Sequence, residues 1–213
     1  MDVLAHSAAG DLALLHAGRY PERIRSLVLV AARARAAGIE FPIKGRREAF
    51  ALRSGEPWYE EAVPAFERAM AGEATNDDLW LLNRLSYGRW DAAAEAHAAS
   101  GEDGYNEEAA HAYPGPGAFD DAASVREVLA KLDALVLVLA GELDLSPRPD
   151  KAAEVAALLP RGELVVQTGA AHYPWLDDSE FFVRTVGTSC AEAALSGRLR
   201  SQPPKDFPEN RMN

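Results

Sequence analysis

The chain has 213 residues, of which 48% are hydrophobic and 26% are charged, so it can bury a core and remain polar outside. Its formal net charge of -11 argues against a nucleic-acid partner, because binding to phosphates needs clustered lysine and arginine side chains. The single cysteine, Cys190, excludes an internal disulfide framework and a cysteine-based metal cluster. We interpret Cys190 as a buried or unreactive thiol.

Two further classes of protein are disfavoured by the distribution of apolar residues. No segment approaches the ~18 consecutive apolar residues that a membrane-spanning helix needs. The first seven residues lack the basic stretch and the long apolar stretch of a signal peptide. The sequence therefore predicts no membrane contact, and a cytoplasmic location by default.

Four short apolar runs are typical of buried parallel strands. They cover residues 3–5, 27–31, 135–140 and 163–167. Helical patterns follow or precede them at 8–18 and 149–159, and the first of these helices is expected to end at Gly18. Alternating strands and helices predict an α/β domain with a parallel sheet of about four strands.

The alternation stops between the second and third runs. We therefore predict a core formed by residues 1–33 and 122–196, a helical insertion over 34–121, and a disordered tail over 197–213. The insertion is rich in large aromatic residues, notably Trp58, Trp80, Tyr87 and Trp90. They can form the core of the insertion and its contact with the sheet, or several of them can line a substrate pocket.

The segment A-H-S-A-A-G at residues 5–10 lies between an apolar strand and a helix. A serine at such a sharp turn needs small neighbours, because the strand and the helix approach each other closely. The usual pattern is G-x-S-x-G, and here both glycine positions hold alanine, with Gly10 one place later. Ser7 is thus a candidate nucleophile, although a serine that only caps a helix would look similar.

An acid and a histidine follow two later strands. Asp144 comes just after the run 135–140, and His172 lies in a loop of small residues after the run 163–167. The carboxyl ends of parallel strands meet at one edge of a sheet, where α/β proteins build their sites. We therefore expect Ser7, Asp144 and His172 to converge.

These segments together resemble those of the α/β-hydrolase fold superfamily. The resemblance covers residues 2–33, which are similar to the nucleophile turn, the next helix and the next strand, and residues 125–186, which are similar to the acid and histidine segments. The order serine, acid, histidine along the chain is that of this superfamily. The insertion of this chain is similar, in position and in helical character, to the helical cap of the superfamily. The nearest subgroup is the capped peptidases and esterases that include proline iminopeptidases.

The resemblance implies a role for each residue. Ser7 would attack an acyl carbon, His172 would act as base, Asp144 would orient the imidazole, and the backbone N–H of Ala8 would donate to the oxyanion. The superfamily's second oxyanion donor lies in a loop that precedes the nucleophile strand, together with four further strands. This sequence is therefore expected to begin at the fifth strand, with reduced catalysis and an exposed sheet edge through which copies of the chain could associate.

Other polar residues have simpler interpretations. His6 is expected to pack rather than to react, and His16, His97 and His111 lack partners at metal-ligand spacing. Four glutamates of the insertion could neutralise a substrate amine but fit solvated helix faces better: Glu60, Glu61, Glu107 and Glu108. No dinucleotide-binding, P-loop or zinc-protease motif is present, so we predict no metal and no cofactor.

The sequence leaves three functions open. The first is hydrolysis of a small ester or amide. The second is a non-catalytic remnant or ligand-binding module of the same fold. The third is a cofactor-free haloperoxidase-like or dehalogenase activity, of which the dehalogenase is disfavoured because its nucleophile is a carboxylate.

Overall fold

The computed structural model describes residues 1–104 and 106–200, although side chains within 43–44, 102–104 and 196–200 and at 107 and 111 are not described. Within those residues a parallel sheet is built from β1 (Asp2–His6), β2 (Ser26–Val30), β3 (Leu135–Gly141) and β4 (Gly162–Gln167), which lie side by side in chain order. The prediction of an α/β fold with about four parallel strands is confirmed.

Helices cover both faces of this sheet, which explains why its central strands, β2 and β3, are almost continuously apolar. On one face, α1 (Ala9–Arg19), α7 (Ala122–Leu129) and α8 (Pro149–Leu158) pack on alternate strand residues such as Leu27 and Val136. On the other face, the short α9 (Pro174–Asp177) and the long α10 (Ser179–Arg200) cover the residues in between, such as Val28 and Leu137.

Between β2 and α7 the described residues form five α-helices and add no strand to the sheet. They are α2 (Ile43–Ala51), α3 (Tyr59–Ala71), α4 (Asn76–Leu82), α5 (Ala92–Gly104) and α6 (Glu107–Ala112). Phe50, Trp58, Phe66 and Leu85 form one apolar cluster of this region, and a second cluster forms around Tyr87.

A buried arginine ties the first of these clusters to the second. Arg53 is only 1% exposed, and its guanidinium donates to the carbonyl of Tyr87 at 2.9 Å and pairs with Glu56 at 3.1 Å. The same guanidinium lies over the ring of Trp58, 5.1 Å from its centre. Because this buried charge has its hydrogen bonds satisfied within the insertion, it fixes the path of the chain from α2 to Tyr87.

Two local predictions differ from the structure. Helix α1 continues through Gly18 to Arg19, and a Cβ at Gly18 would lie 3.2 Å from the side chain of Val125 of α7. Gly18 therefore allows close helix packing rather than a helix end. Helix α10 continues to Arg200, into the segment predicted to be disordered, and residues 201–213 of that tail lie outside the described residues.

Candidate active site

Ser7 lies at a sharp turn between β1 and α1. Its φ of 54° falls in the left-handed region, which residues other than glycine rarely adopt. The turn is held by backbone hydrogen bonds: Ser7 donates to Val30 at 3.1 Å, and its carbonyl accepts from Gly10 at 3.0 Å and from Arg33 at 2.9 Å. The side chain of Ser7 is thereby held at the carboxyl edge of the sheet.

The glycine of this turn is needed for close packing. A Cβ at Gly10 would lie 2.5 Å from the carbonyl oxygen of Arg33 and 2.7 Å from Cβ of Ala32, closer than real atoms approach. Ala5, at the first glycine position of the usual pattern, is buried and fits without such a collision. The departure from G-x-S-x-G therefore leaves the turn intact.

Asp144 follows β3 and is 3% exposed. One carboxylate oxygen, Oδ1, accepts a hydrogen bond from the backbone N–H of Ser146 at 2.9 Å. The other, Oδ2, lies 2.9 Å from Nδ1 of His172. The carboxylate thus has partners on both oxygens, as a buried charge requires.

His172 connects the acid and the serine. Its Nδ1 faces Asp144, and its Nε2 lies 3.0 Å from Oγ of Ser7. Since an ionised carboxylate only accepts, Nδ1 carries the proton, and Nε2 of the neutral ring accepts from the hydroxyl of Ser7. The structure therefore brings the three sequence-predicted residues together in one hydrogen-bonded chain.

Ala8 carries the first N–H after the nucleophile, at the N-terminus of α1. In the described part of the chain no carbonyl or side chain accepts a hydrogen bond from this N–H. It lies at the positive end of the helix dipole and is available to a developing negative charge.

His6 packs against the histidine loop, as expected for a structural residue. Its Nε2 lies 2.9 Å from the carbonyl oxygen of His172, so Nε2 must carry a proton and donate. Its ring centre is 4.8 Å from those of both His172 and Trp175. Burial lowers the pKa of His6 to about 4, and repulsion from a protonated His172 acts in the same direction.

A cavity of about 270 Å³ opens beside Asp144 and His172. Its walls are mainly apolar and come from the insertion and from the acid loop, with Arg46 as a cationic group; they include Phe66, Met70, Leu82, Leu85 and Leu145. These cavity residues were not predicted from the sequence. The only signal for them was the helical spacing of apolar residues in the insertion.

The four aromatic residues predicted to contact substrate line other cavities. Trp80 and Tyr87 line one of about 690 Å³, and Trp58 and Trp90 line one of about 530 Å³. The structure brings none of the four to the walls of the cavity beside His172. Trp58 is buried in the apolar cluster of the insertion, and Tyr87 stacks near Tyr173, with ring centres 5.1 Å apart.

The remaining polar residues considered in the sequence analysis lie apart from Ser7, Asp144 and His172. His97 bonds to the hydroxyl of Tyr87 at 2.8 Å, and His16 is partly buried beside Tyr20. Glu60 is exposed, as are Glu61 and Glu108, while the side chains of His111 and Glu107 lie outside those described.

No group of three potential metal ligands occurs among residues 1–104 and 106–200. The free thiol of Cys190 is partly buried against the face of the sheet that α10 covers. None of the helices in the described ranges combines the length and apolar character needed to cross a bilayer.

The insertion also contacts the backbone next to Ser7 and the backbone of His172. The sequence did not reveal these contacts. The hydroxyl of Tyr113 lies 2.9 Å from the carbonyl oxygen of Ala8, and 3.2 Å from the buried carboxylate of Asp11. Burial and the charge of Asp11 raise the pKa of Tyr113 to about 12, so the hydroxyl remains a donor. On the other side, the carbonyl of Ser86 accepts from the backbone N–H of His172 at 3.0 Å.

Comparisons with known proteins find a related sequence and similar structures. No family model matches the chain. A 2-hydroxymuconate semialdehyde hydrolase of Pseudomonas putida is 29% identical over 194 residues, which are 90% of this chain and 63% of the relative. The chain thus spans less than two thirds of the length of this curated relative.

Solved structures of hydrolases resemble this chain closely enough to define its fold. Proline iminopeptidase of Mycobacterium smegmatis aligns with a TM-score of 0.65 at 22% identity, covering 92% of this chain and 66% of its own. A meta-cleavage product hydrolase of Pseudomonas fluorescens aligns with a TM-score of 0.61 at 19% identity, covering 90% and 65%. The parallel sheet, its flanking helices and these likenesses show that the chain has the α/β-hydrolase fold.

Proposed function

We propose that the chain acts as a serine hydrolase on a small ester or amide, with Ser7 as nucleophile, His172 as base and Asp144 as the acid that orients it. The observation that carries this proposal is the pair of contacts of one imidazole, 3.0 Å to Oγ of Ser7 and 2.9 Å to Oδ2 of Asp144. Hydrolases among the relatives and the structural neighbours support it.

The reaction follows from the positions of the protons. Nε2 of His172 takes the hydroxyl proton of Ser7 as Oγ attacks the acyl carbon, and the N–H of Ala8 donates to the resulting oxyanion. Collapse of this intermediate breaks the bond to the leaving group, which takes the proton from His172. Water then attacks the acyl-enzyme by the same route, releasing the acid and restoring Ser7.

The cavity beside the imidazole, which is lined by Asp144 and His172 but not by Ser7, suits an apolar part of a substrate without a free amine. An aminopeptidase must balance the positive charge of the substrate's N-terminus, yet Asp144 is the sole carboxylate among the described residues that line this cavity. Asp144 already faces His172, and Arg46 adds a positive charge. The cavity therefore supports esterase activity better than aminopeptidase activity.

A fluorophosphonate probe tests the assignment, because it labels a serine only when a neighbouring base activates it. We expect covalent labelling of the folded chain, and its loss in Ser7→Ala. Ser86→Ala is the matched control, because Ser86 lines the same cavity but contacts His172 only through its backbone carbonyl. A folded parent chain that the probe does not label would instead support the non-catalytic, ligand-binding alternative.

A further inference from the structure

Asp177 joins the helical insertion to the loop that carries His172. Its Oδ1 accepts a hydrogen bond from the backbone N–H of Gly88 at 2.9 Å. Its Oδ2 accepts from the backbone N–H of Ala171 at 2.9 Å. Gly88 belongs to the insertion, and Ala171 immediately precedes His172, so one half-buried carboxylate bridges the two segments.

Further contacts join the same two segments. The carbonyl of Ser86 accepts from the N–H of His172, and the guanidinium of Arg89 donates to the carbonyl of Leu176 at 3.1 Å. Gly88 packs directly on the loop, because a Cβ there would lie 1.8 Å from the carbonyl oxygen of Gly169. Residues 86–89 and 169–177 therefore form one hydrogen-bonded unit, in which the carboxylate of Asp177 holds the N–H next to His172.

A base works only within hydrogen-bond reach of the proton that it removes. A displacement of about 1 Å can lower a rate on the order of a hundredfold. The imidazole of His172 extends from a loop, and two of the backbone N–H groups of this loop, at 171 and 172, are bonded to Asp177 and Ser86. The position of Nε2 relative to Ser7 thus depends on those bonds.

We propose that Asp177 is a positioning residue for His172, through which the insertion determines whether the imidazole reaches Ser7 and Asp144. This inference rests on the proposed hydrolase function. A carboxylate that only stabilised the fold would, when removed, lower the free energy of unfolding without moving the imidazole in the molecules that remain folded.

Two substitutions at Asp177 remove the bridge in steps. Asp177→Asn keeps one acceptor oxygen, so it can hold Gly88 or Ala171 but not both, because its NH₂ group cannot accept. Asp177→Ala removes both acceptors. Glu142→Gln is the matched control: Oε2 of Glu142 also accepts from a backbone N–H of this loop, that of Gly169 at 2.8 Å, but Gly169 is three residues before His172, whereas Ala171 adjoins it.

The measurements are the rate of fluorophosphonate labelling and the proton NMR signal of Nδ1–H of His172, assigned by its absence in His172→Gln. The hydrogen bond to Asp144 moves this signal downfield. We expect a labelling rate lowered about tenfold in Asp177→Asn and on the order of a hundredfold in Asp177→Ala. We also expect the signal to weaken in that order, while Glu142→Gln keeps both readouts within about twofold.

Unchanged labelling and an unchanged Nδ1–H signal in a folded Asp177→Asn would overturn the proposal, whatever the melting temperature. If Asp177→Ala does not fold, the labelling rate and the Nδ1–H signal of Asp177→Asn alone test the proposal. Failure of the proposed function is distinguishable: a parent chain without labelling refutes the hydrolase, and the Nδ1–H signal of the variants still reports whether Asp177 positions His172.

Discussion

The backbone at Gly141 lies against the backbone of Ala171, so closely that a Cβ on Gly141 would be 2.1 Å from the carbonyl oxygen of Ala171. Gly141 ends β3 and leads to Asp144, whereas Ala171 precedes His172. Leu143 also donates from its N–H to the carbonyl of Ala170 at 2.8 Å. The acid and histidine loops are therefore packed as one layer.

Gly141→Ala should disrupt this layer. The added methyl group must push the two loops apart, and we expect a loss of about 1–3 kcal/mol in the free energy of unfolding, together with slower fluorophosphonate labelling. Gly187→Ala is the control, because Gly187 lies within α10 with nothing within 4 Å of its added Cβ. Chemical denaturation of both variants checks this, and equal stability of the two would contradict it.

Asp144→Asn should keep the fold and remove most of the reactivity. The amide oxygen can still accept from the N–H of Ser146, as Oδ1 does now. It cannot compensate the charge of a protonated His172, and it permits the wrong tautomer of the ring. We expect hydrolysis of an activated ester, or labelling where no ester is turned over, to fall on the order of 10⁴-fold with a native circular dichroism spectrum. A decrease of less than tenfold would argue against the assigned role.

The partly buried His6 should make the fold sensitive to acid. Its pKa is lowered from 6.5 to about 4, mainly by burial, so the unfolded chain binds a proton in that window that the folded chain does not. The free energy of unfolding should therefore fall as the pH falls from 6.5 to 4, by up to about 3 kcal/mol and by less where water screens the ring.

Substitution of His6 separates this contribution from that of the other groups. His6→Asn keeps an N–H that can donate to the carbonyl of His172 but does not titrate. We expect the stability difference between the parent chain and His6→Asn to change between pH 6.5 and 4 and to be constant above pH 7.5. Urea denaturation across this range measures it, and parallel curves for the two proteins would be the contrary result.

The outer edge of β1 should promote association between copies of this chain. In the described sheet β1 pairs only with β2, and Leu4 on this strand is 54% exposed. An unpaired apolar edge is a template for another strand. We expect the mean mass in light scattering to rise with concentration, and Leu4→Lys to lower it.

Leu12→Lys serves as the control for the edge, because Leu12 is similarly exposed, at 56%, but lies on α1. Equal effects of Leu4→Lys and Leu12→Lys would indicate association through general surface hydrophobicity. A parent chain that stays monomeric at all concentrations would refute association through β1.

The two central strands, β2 and β3, could be predicted from sequence because each is an uninterrupted apolar run that is buried on both faces. The outer strands β1 and β4 were predictable from the shorter apolar runs that they contain. Convergence of Ser7, Asp144 and His172 was also predictable, since all three follow strands of one parallel sheet and so meet at the same edge. For these residues, a position just after an apolar run in the sequence already implies a position at the carboxyl edge of the sheet.

The insertion was less predictable, because its important contacts follow no periodicity. The bond from Gly88 to Asp177 spans 89 residues, and neither residue type signals such a partner. Gly18 was misread for a related reason: a glycine near a helix end resembles a terminator, whereas here it makes room for Val125 of another helix. Such requirements arise only once distant segments are packed together.

The contacts of the insertion with Ala8 through Tyr113, and with His172 through Ser86, have a consequence for protein engineering. An insertion transplanted from another protein would replace the side chains that line the cavity beside His172, and also the contacts to Ala8 and to the backbone of His172. Grafts in this scaffold should therefore exchange the 169–177 loop and the insertion as a matched pair, because a chimaera that splits them would lose the hydrogen bonds of Asp177 to Gly88 and Ala171.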